Sequence, residues 1–158
     1  MESLHPMVVH FPAALFITAL LLETIGLSTA RALFHRMALW NLGLGVVGAA
    51  AAVLTGRMAM AAAKHSPAIY EVMERHERLG YIVFGLTAAL LVGRLLVQDQ
   101  LSLAQRRFAL GLLTVACALM AYSAHLGGRL VYEYGVGGNY GRSTGGIQVI
   151  QREGGKGE

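Results

Sequence analysis

The sequence predicts an all-α integral membrane protein, a four-helix antiparallel bundle with a flexible, glycine-rich C-terminal tail. Only 14% of its 158 residues are charged, whereas soluble domains carry about 25%, and the mean hydropathy is +0.53. The chain contains four long apolar runs, and a helix needs about 20 such residues to cross a bilayer core. None of the runs alternates with a period of two, which argues against the strands of a membrane barrel.

The four apolar runs cover residues 7–27, 37–63, 79–97 and 108–126. Because their connections are short, consecutive helices are expected to be antiparallel neighbours within one domain, residues 1–138. Ser66 and Pro67 are expected to begin the third helix before its apolar run, since proline is tolerated at the first helical position. Residues 139–158 offer few apolar groups for packing, which predicts a flexible outer tail.

The arginine distribution predicts the orientation of the bundle. The first and third connections and their flanks contain Arg31, Arg36, Arg94, Arg106 and Arg107, whereas no Lys or Arg precedes the first run. Cytoplasmic loops carry the excess of basic residues. We therefore expect a multi-pass protein of the bacterial inner membrane with both termini in the periplasm. No basic block indicates a nucleic-acid partner.

Two features of the runs concern helix packing and buried charge. Gly43, Gly45 and Gly48 match the letters of a dinucleotide-binding loop, but they lie inside an apolar helix with no strand before them. Their small size instead predicts close approach of a neighbouring helix. Glu23 is expected near the inner interface, where a carboxylate reaches water, and a proton relay there is the alternative.

Most of the six histidines are predicted to lie at the outer end of the bundle: His5, His10, His65, His76 and His125, with only His35 in a cytoplasmic connection. Imidazole binds haem iron, zinc, copper and non-haem iron. His10, His76 and His125 are the first candidate ligands for haem or a metal, and His5 is the fourth. We expect His10 to point into the bundle, and His5 to serve a second site or to close the helix end.

Two arginines are predicted to accompany these histidines. Arg57 and Arg129 lie toward the same end of the bundle, and guanidinium groups pair well with carboxylates. They are therefore candidate partners for the propionates of a haem.

The motifs also resemble a known family. The stretch His5-Pro6-Met7-Val8-Val9-His10-Phe11-Pro12, with His76 and the stretch from Gly127 to Gly137, resembles the bacterial membrane proteins grouped as domain of unknown function 2231. The resemblance covers about residues 4–138. It implies a four-helix membrane protein suspected of binding haem or metal, in a family of which some members occur beside or fused to cytochrome c-like domains. His5, His10 and His76 match the family's histidine positions, and His125 matches a subset.

These observations lead to one main functional hypothesis and two alternatives. The main hypothesis is a small b-type cytochrome-like electron-transfer subunit that holds one or two haem b groups near the periplasmic face. Its partners would be membrane lipid, a quinol, a cytochrome c or other subunits of a redox complex. The alternatives are a non-haem transition-metal protein and a structural subunit of a larger membrane complex. An accessory role is favoured over a stand-alone enzyme.

Overall fold

The computed structural model describes residues 4–62, 67–97 and 101–136 of the chain. The helices are α1 (Leu4–Val8), α2 (His10–Thr29), α3 (Ala32–Ala62), α4 (Pro67–Val97) and α5 (Leu103–Tyr132). The first predicted run lies on α1 and α2, which together are long and apolar enough to cross a membrane, as are α3, α4 and α5. The prediction of an all-α membrane bundle with four spans is confirmed.

The helices form a ring in which α2 and α4 each pack against α3 and α5. Short connections make sequential neighbours antiparallel, so the bundle has two distinct ends. The N-terminal end contains the beginnings of α1 and α4 and the ends of α3 and α5. The opposite end contains the ends of α2 and α4 and the beginnings of α3 and α5.

The helical hydrogen bonding of the first span has a break at Val9, between α1 and α2. Pro12 causes this break, because its nitrogen has no hydrogen and its ring crowds the carbonyl group four residues earlier. That carbonyl belongs to Val8, the last residue of α1. The short helix α1 packs against both α2 and α3. The backbone at Val9 stays in the right-handed helical region, with φ of −64° and ψ of −23°, so His5 lies on the first turn of one span from His5 to Thr29.

Small residues bring α2 and α3 close together, as the sequence predicted. A Cβ atom added at Gly45 would lie 2.6 Å from the Phe16 ring, and one added at Gly48 would lie 2.9 Å from the Phe11 ring. The central core is apolar and consists of Phe16, Ala19, Leu42, Ala49, Val83 and Leu113. Many other large apolar side chains are exposed around the bundle, which is the surface that lipid would cover.

The helices extend beyond the predicted runs. Helix α4 begins at Pro67, as predicted. Helix α5 begins with a capping box in which the Gln105 N–H donates to the Ser102 hydroxyl and the Ser102 N–H donates to the Gln105 side chain. It continues through Gly127 and Gly128 to Tyr132 rather than ending near residue 126.

A glycine reverses the chain after α5. Gly135 adopts a left-handed conformation with φ of 66°, which glycine accepts without steric cost. The Gly135 N–H donates to the Val131 carbonyl at 3.2 Å. Tyr134 and Val136 consequently pack against an apolar cluster at the N-terminal end, which includes Val72, Met73, Leu126 and Leu130. The predicted tail, residues 139–158, lies outside the described residues, as do His65 and Ser66.

Candidate functional site

Two histidines from different helices meet at the N-terminal end of the bundle. His5 on α1 and His76 on α4 have ring centroids 6.1 Å apart, and their planes form an angle of 81°. Both residues are half-buried. The contact depends on two predicted features: the start of α1 lies at this end, and α4 begins well before His76. The sequence placed both histidines at this end, but it ranked His5 behind His10 and His125.

Helix α5 holds the His76 ring in one orientation. His76 Nδ1 lies 2.8 Å from the Ser123 carbonyl oxygen. A carbonyl only accepts hydrogen bonds, so Nδ1 carries the hydrogen and Nε2 carries the lone pair. The ring also lies against Gly127, where an added Cβ would be 3.1 Å from Cε1. Gly127 therefore permits the close approach that the Nδ1 hydrogen bond requires.

Helix α3 holds the His5 ring in the same manner. His5 Nδ1 lies 3.1 Å from Thr55 Oγ1. The Thr55 hydroxyl donates its hydrogen to the Ala51 carbonyl at 2.9 Å, so its oxygen accepts from His5 Nδ1–H. Gly56 gives the ring space, because a Cβ there would lie 2.9 Å from His5 Cε1. Nε2 of His5 therefore also keeps its lone pair.

Both imidazoles thus present Nε2 as a free ligand atom. Within the described residues, neither Nε2 atom has a hydrogen-bond partner. Metal-binding histidines commonly donate the other ring N–H to a carbonyl or carboxylate, which selects the tautomer and the ring orientation. The arrangement can supply two neutral nitrogen ligands. No group of three or more His, Cys, Asp or Glu side chains that could hold a metal ion occurs in residues 4–62, 67–97 and 101–136.

The other predicted ligands lie elsewhere on the surface. His10 is exposed, and its Nδ1 donates to the Pro6 carbonyl of the preceding turn at 2.6 Å. The prediction that His10 points into the bundle is therefore wrong, because His5 and His10 lie on different faces of the span and His5 is the one that contacts α3 and α4. His125 is also exposed. Among the described residues, no ring contact or hydrogen bond joins His10 or His125 to His5 or His76.

The two predicted arginines differ in their partners. Arg129 Nε donates to Glu133 Oε2 at 2.9 Å across one turn of helix. Arg57 is exposed on α3 beside Gly56, and no described residue forms an ion pair with it. Of the two, Arg57 is therefore the one whose guanidinium is available for an anionic group.

A second cluster, which the sequence did not predict, lies at the opposite end. Glu23 on α2 accepts a hydrogen bond at Oε1 from His35 Nδ1 at 3.0 Å, and Arg94 Nη1 lies 3.1 Å from Glu23 Oε2. The exposed fractions are 1% for Glu23, 8% for His35 and 9% for Arg94. The expectation that Glu23 reaches water is wrong, because α3 and α4 enclose it. His35 lies inside α3 rather than in a connection.

Gly26 shapes this second cluster. It lies one turn after Glu23, and a Cβ added there would be 2.8 Å from both Nδ1 and Cε1 of His35. The imidazole thus rests directly on the α2 backbone. The one signal in the sequence was the presence of Glu23 and Arg94 inside apolar runs, where an ionisable residue generally needs a partner.

Comparison with known proteins identifies the family. The profile of the family described as "Predicted membrane protein (DUF2231)" matches residues 1–139, which include both clusters. No curated protein and no solved structure matches the chain. Because the match covers most of the chain, the protein belongs to the DUF2231 family of predicted membrane proteins.

Proposed function

We propose that the protein is a small b-type cytochrome-like electron-transfer subunit in which His5 and His76 hold one haem b at the N-terminal end. The observation that carries this proposal is the pair of imidazoles, each with Nδ1–H bound to a protein oxygen and Nε2 free. Haem b needs no covalent attachment motif. When bound, the haem supplies reversible one-electron chemistry.

Among the described residues two imidazoles come together, and this number of ligands favours haem over a non-haem metal ion. A haem iron takes four nitrogens from the macrocycle and at most two from the protein, whereas protein zinc sites use three or four protein ligands. The His5 and His76 ring centroids are 6.1 Å apart, so both imidazoles could hold one haem.

Residues around the pair would support a macrocycle. Gly80, one turn after His76, and Gly128, beside Gly127, leave open space where a Cβ would meet no atom within 4 Å. Arg57 has a guanidinium available for a propionate. The Ser123 carbonyl and the Thr55 hydroxyl would orient the two ligands. Because His10 and His125 join neither ring, the geometry supports one haem rather than two.

The proposed location is the bacterial inner membrane, with the N-terminal end on the periplasmic side. Arg31, Arg36 and Arg107 are exposed at the opposite end, which supports a cytoplasmic position for it. A haem near the periplasmic face could exchange electrons with a membrane quinol or a cytochrome c. The protein would act as a subunit of a redox complex rather than as a stand-alone enzyme.

The test is the visible spectrum of protein purified from haem-replete cells. We expect a Soret band, a reduced-minus-oxidised α-band and a pyridine haemochrome spectrum of haem b. His5→Ala and His76→Ala should lose the bound haem, whereas His10→Ala and His125→Ala should retain it. The last two variants are matched controls, because they remove exposed imidazoles at the same end.

Three outcomes would overturn the proposal. Colourless wild-type protein without metal would exclude a resident redox cofactor and favour the structural subunit. Colourless protein with a stoichiometric transition metal, measured by elemental analysis, would favour the non-haem alternative. Haem loss in His10→Ala or His125→Ala but not in His5→Ala or His76→Ala would transfer the ligand role to the exposed histidines.

A further inference from the structure

The cluster of Glu23, His35 and Arg94 lies far from the proposed haem ligands. Eighteen residues of helix separate His5 from Glu23 in the sequence, which corresponds to about 27 Å at 1.5 Å per residue. Three helices each contribute one ionisable side chain. Carboxylate, guanidinium and imidazole together are a costly combination inside a membrane protein, where such groups tend to be functional.

The contacts define the resting charge of the cluster. His35 Nδ1 faces a carboxylate oxygen at 3.0 Å, so Nδ1 carries the hydrogen, and in the neutral imidazole Nε2 carries the lone pair. The charges of Glu23 and Arg94 cancel, since their nearest atoms are 3.1 Å apart. That contact is an ion pair but not a hydrogen bond, and Glu23 Oε2 is enclosed without a hydrogen-bond partner.

Access to the cluster is one-sided. Among the described residues, only one side-chain nitrogen or oxygen, Glu23 Oε2, is both enclosed and without a hydrogen-bond partner. His35 Nε2 also has no hydrogen-bond partner among these residues, so it is not enclosed and keeps contact with the surface. Toward the middle of the bundle lie the apolar side chains of Phe16, Leu42 and Leu113. Thr87 is buried there, but its hydroxyl donates to the Val83 carbonyl of its own helix.

We propose that Glu23 and His35 form a proton-binding site that opens only to the opposite end of the bundle. A proton from water there joins His35 Nε2, and the hydrogen on Nδ1 passes to Glu23 Oε1. The products are a neutral carboxylic acid and a neutral imidazole with its hydrogen on Nε2. One proton is gained, and the cluster changes from no net charge to one positive charge, which remains on Arg94.

The residues around this site let it bind and release a proton but do not conduct the proton across the bundle. Within the described residues, the other charged groups at this end are Arg31, Arg36, Arg106 and Arg107, which come from the α2–α3 connection, α3 and α5. All are cations, so their field opposes uptake of the proton and favours its release. No polar side chain in the described core continues the path, so the proton leaves through His35 again.

Infrared spectroscopy of the membrane-reconstituted protein tests the proposal. When the pH is lowered, a carbonyl band of a protonated carboxylic acid should appear. The band should be absent in Glu23→Gln and unchanged in Glu71→Gln, the matched control, since Glu71 is exposed and paired with Arg75. A wild-type spectrum without such a band, or a band that persists in Glu23→Gln, would overturn the site.

His35→Asn separates proton transfer from structural support. The Asn amide can still donate to Glu23 Oε1, but it cannot take up a proton. After a rapid pH drop, the Glu23 band should appear more slowly by about 10²-fold or more, because a positioned acid–base group typically accelerates proton transfer that much. An unchanged rate in folded His35→Asn would refute the relay. Nitrogen NMR of labelled histidine should show the Nδ1–H tautomer at His35 above the transition, and the Nε2–H tautomer would contradict the assignment.

These measurements do not depend on a haem, so their outcome is distinguishable from that of the proposed electron-transfer function.

Discussion

The two ends of the bundle use histidine in opposite ways. At each end an imidazole bonds through Nδ1 and lies against a glycine of a neighbouring helix. His76 and His5 bond to neutral oxygens, the Ser123 carbonyl and the Thr55 hydroxyl. His35 bonds to a buried carboxylate. The bonding partner, rather than the residue type, separates the two sites.

This difference has chemical consequences. A neutral oxygen orients the ring and provides no countercharge, so the imidazole serves best as a neutral ligand through Nε2. A carboxylate provides a countercharge and a place for the proton, which suits the imidazole to the proton-carrying role proposed for His35. One chain can therefore combine a candidate cofactor site and a candidate proton site without sharing a residue between them.

Removing the Arg94 guanidinium, at the opposite end of the bundle, should have the largest effect on stability. Arg94→Ala leaves Glu23 buried beside His35 alone, and breaking a buried ion pair in this way costs about 3–5 kcal/mol. Arg75→Ala, which removes an exposed pair with Glu71, should cost about 0.5 kcal/mol or less. Denaturation in detergent or nanodiscs measures both. Equal losses in the two variants would show that the opposite end is not a buried ionic site.

A methyl group added at Gly26, against the His35 ring, should have a smaller effect on stability. In Gly26→Ala the new Cβ would lie 2.8 Å from the imidazole, and overpacking of this kind costs about 1–3 kcal/mol. Gly85→Ala is the control, because its Cβ meets no atom within 4 Å. The control should be neutral or slightly stabilising in the same denaturation experiment. Unaltered stability in Gly26→Ala would mean that His35 moves away without cost.

At the N-terminal end, loss of the Thr55 hydroxyl should weaken cofactor binding rather than the fold. Thr55→Val removes the acceptor of His5 Nδ1–H, and loss of such an orienting partner typically costs about 10–100-fold in metal affinity. Thr87→Val is the control, since that buried hydroxyl bonds only to carbonyls of its own helix. Haem titration of the purified variants measures the affinity. Equal affinities in both variants would remove Thr55 from the site.

A substitution in the turn after α5 should have the smallest effect on stability. Gly135→Ala places a Cβ in a left-handed residue with φ of 66°, at a cost of roughly 1–2 kcal/mol if the conformation is kept. The apolar cluster of Tyr134 and Val136 would then loosen. Gly128→Ala, in the open part of α5, is the control. Proteolysis and thermal denaturation should distinguish the two, and identical behaviour would mean that the turn does not stabilise this end.

The sequence predicted the membrane bundle well for a clear reason. Four apolar runs and a scarcity of charge determine that the chain folds in lipid, because each helix satisfies its own backbone hydrogen bonds there. Pro67 marked the beginning of α4, and the glycines of α3 marked the contact with α2. These features depend on composition and on residues close together in the chain.

The candidate sites depend on contacts between helices that are far apart in the sequence, and local sequence patterns do not show these contacts. The expectation that His10 points into the bundle was wrong because the sequence does not show which face of the first span packs against α3 and α4. The partners of Glu23 come from α3 and α4, and Arg94 is far away in the chain. Expecting Glu23 to reach water ignored that neighbouring helices could enclose it.

By itself, then, the sequence determined that the chain folds in lipid, how many spans it has, their order and the end at which most histidines lie. Only the tertiary structure decided which side chains meet: His5 with His76, and Glu23 with His35 and Arg94. The physical reason is that apolar burial is nearly non-directional, so it specifies which segments pack. Hydrogen bonds and ion pairs need atoms at about 3 Å with suitable angles, and helix rotation and close glycine contacts set those positions.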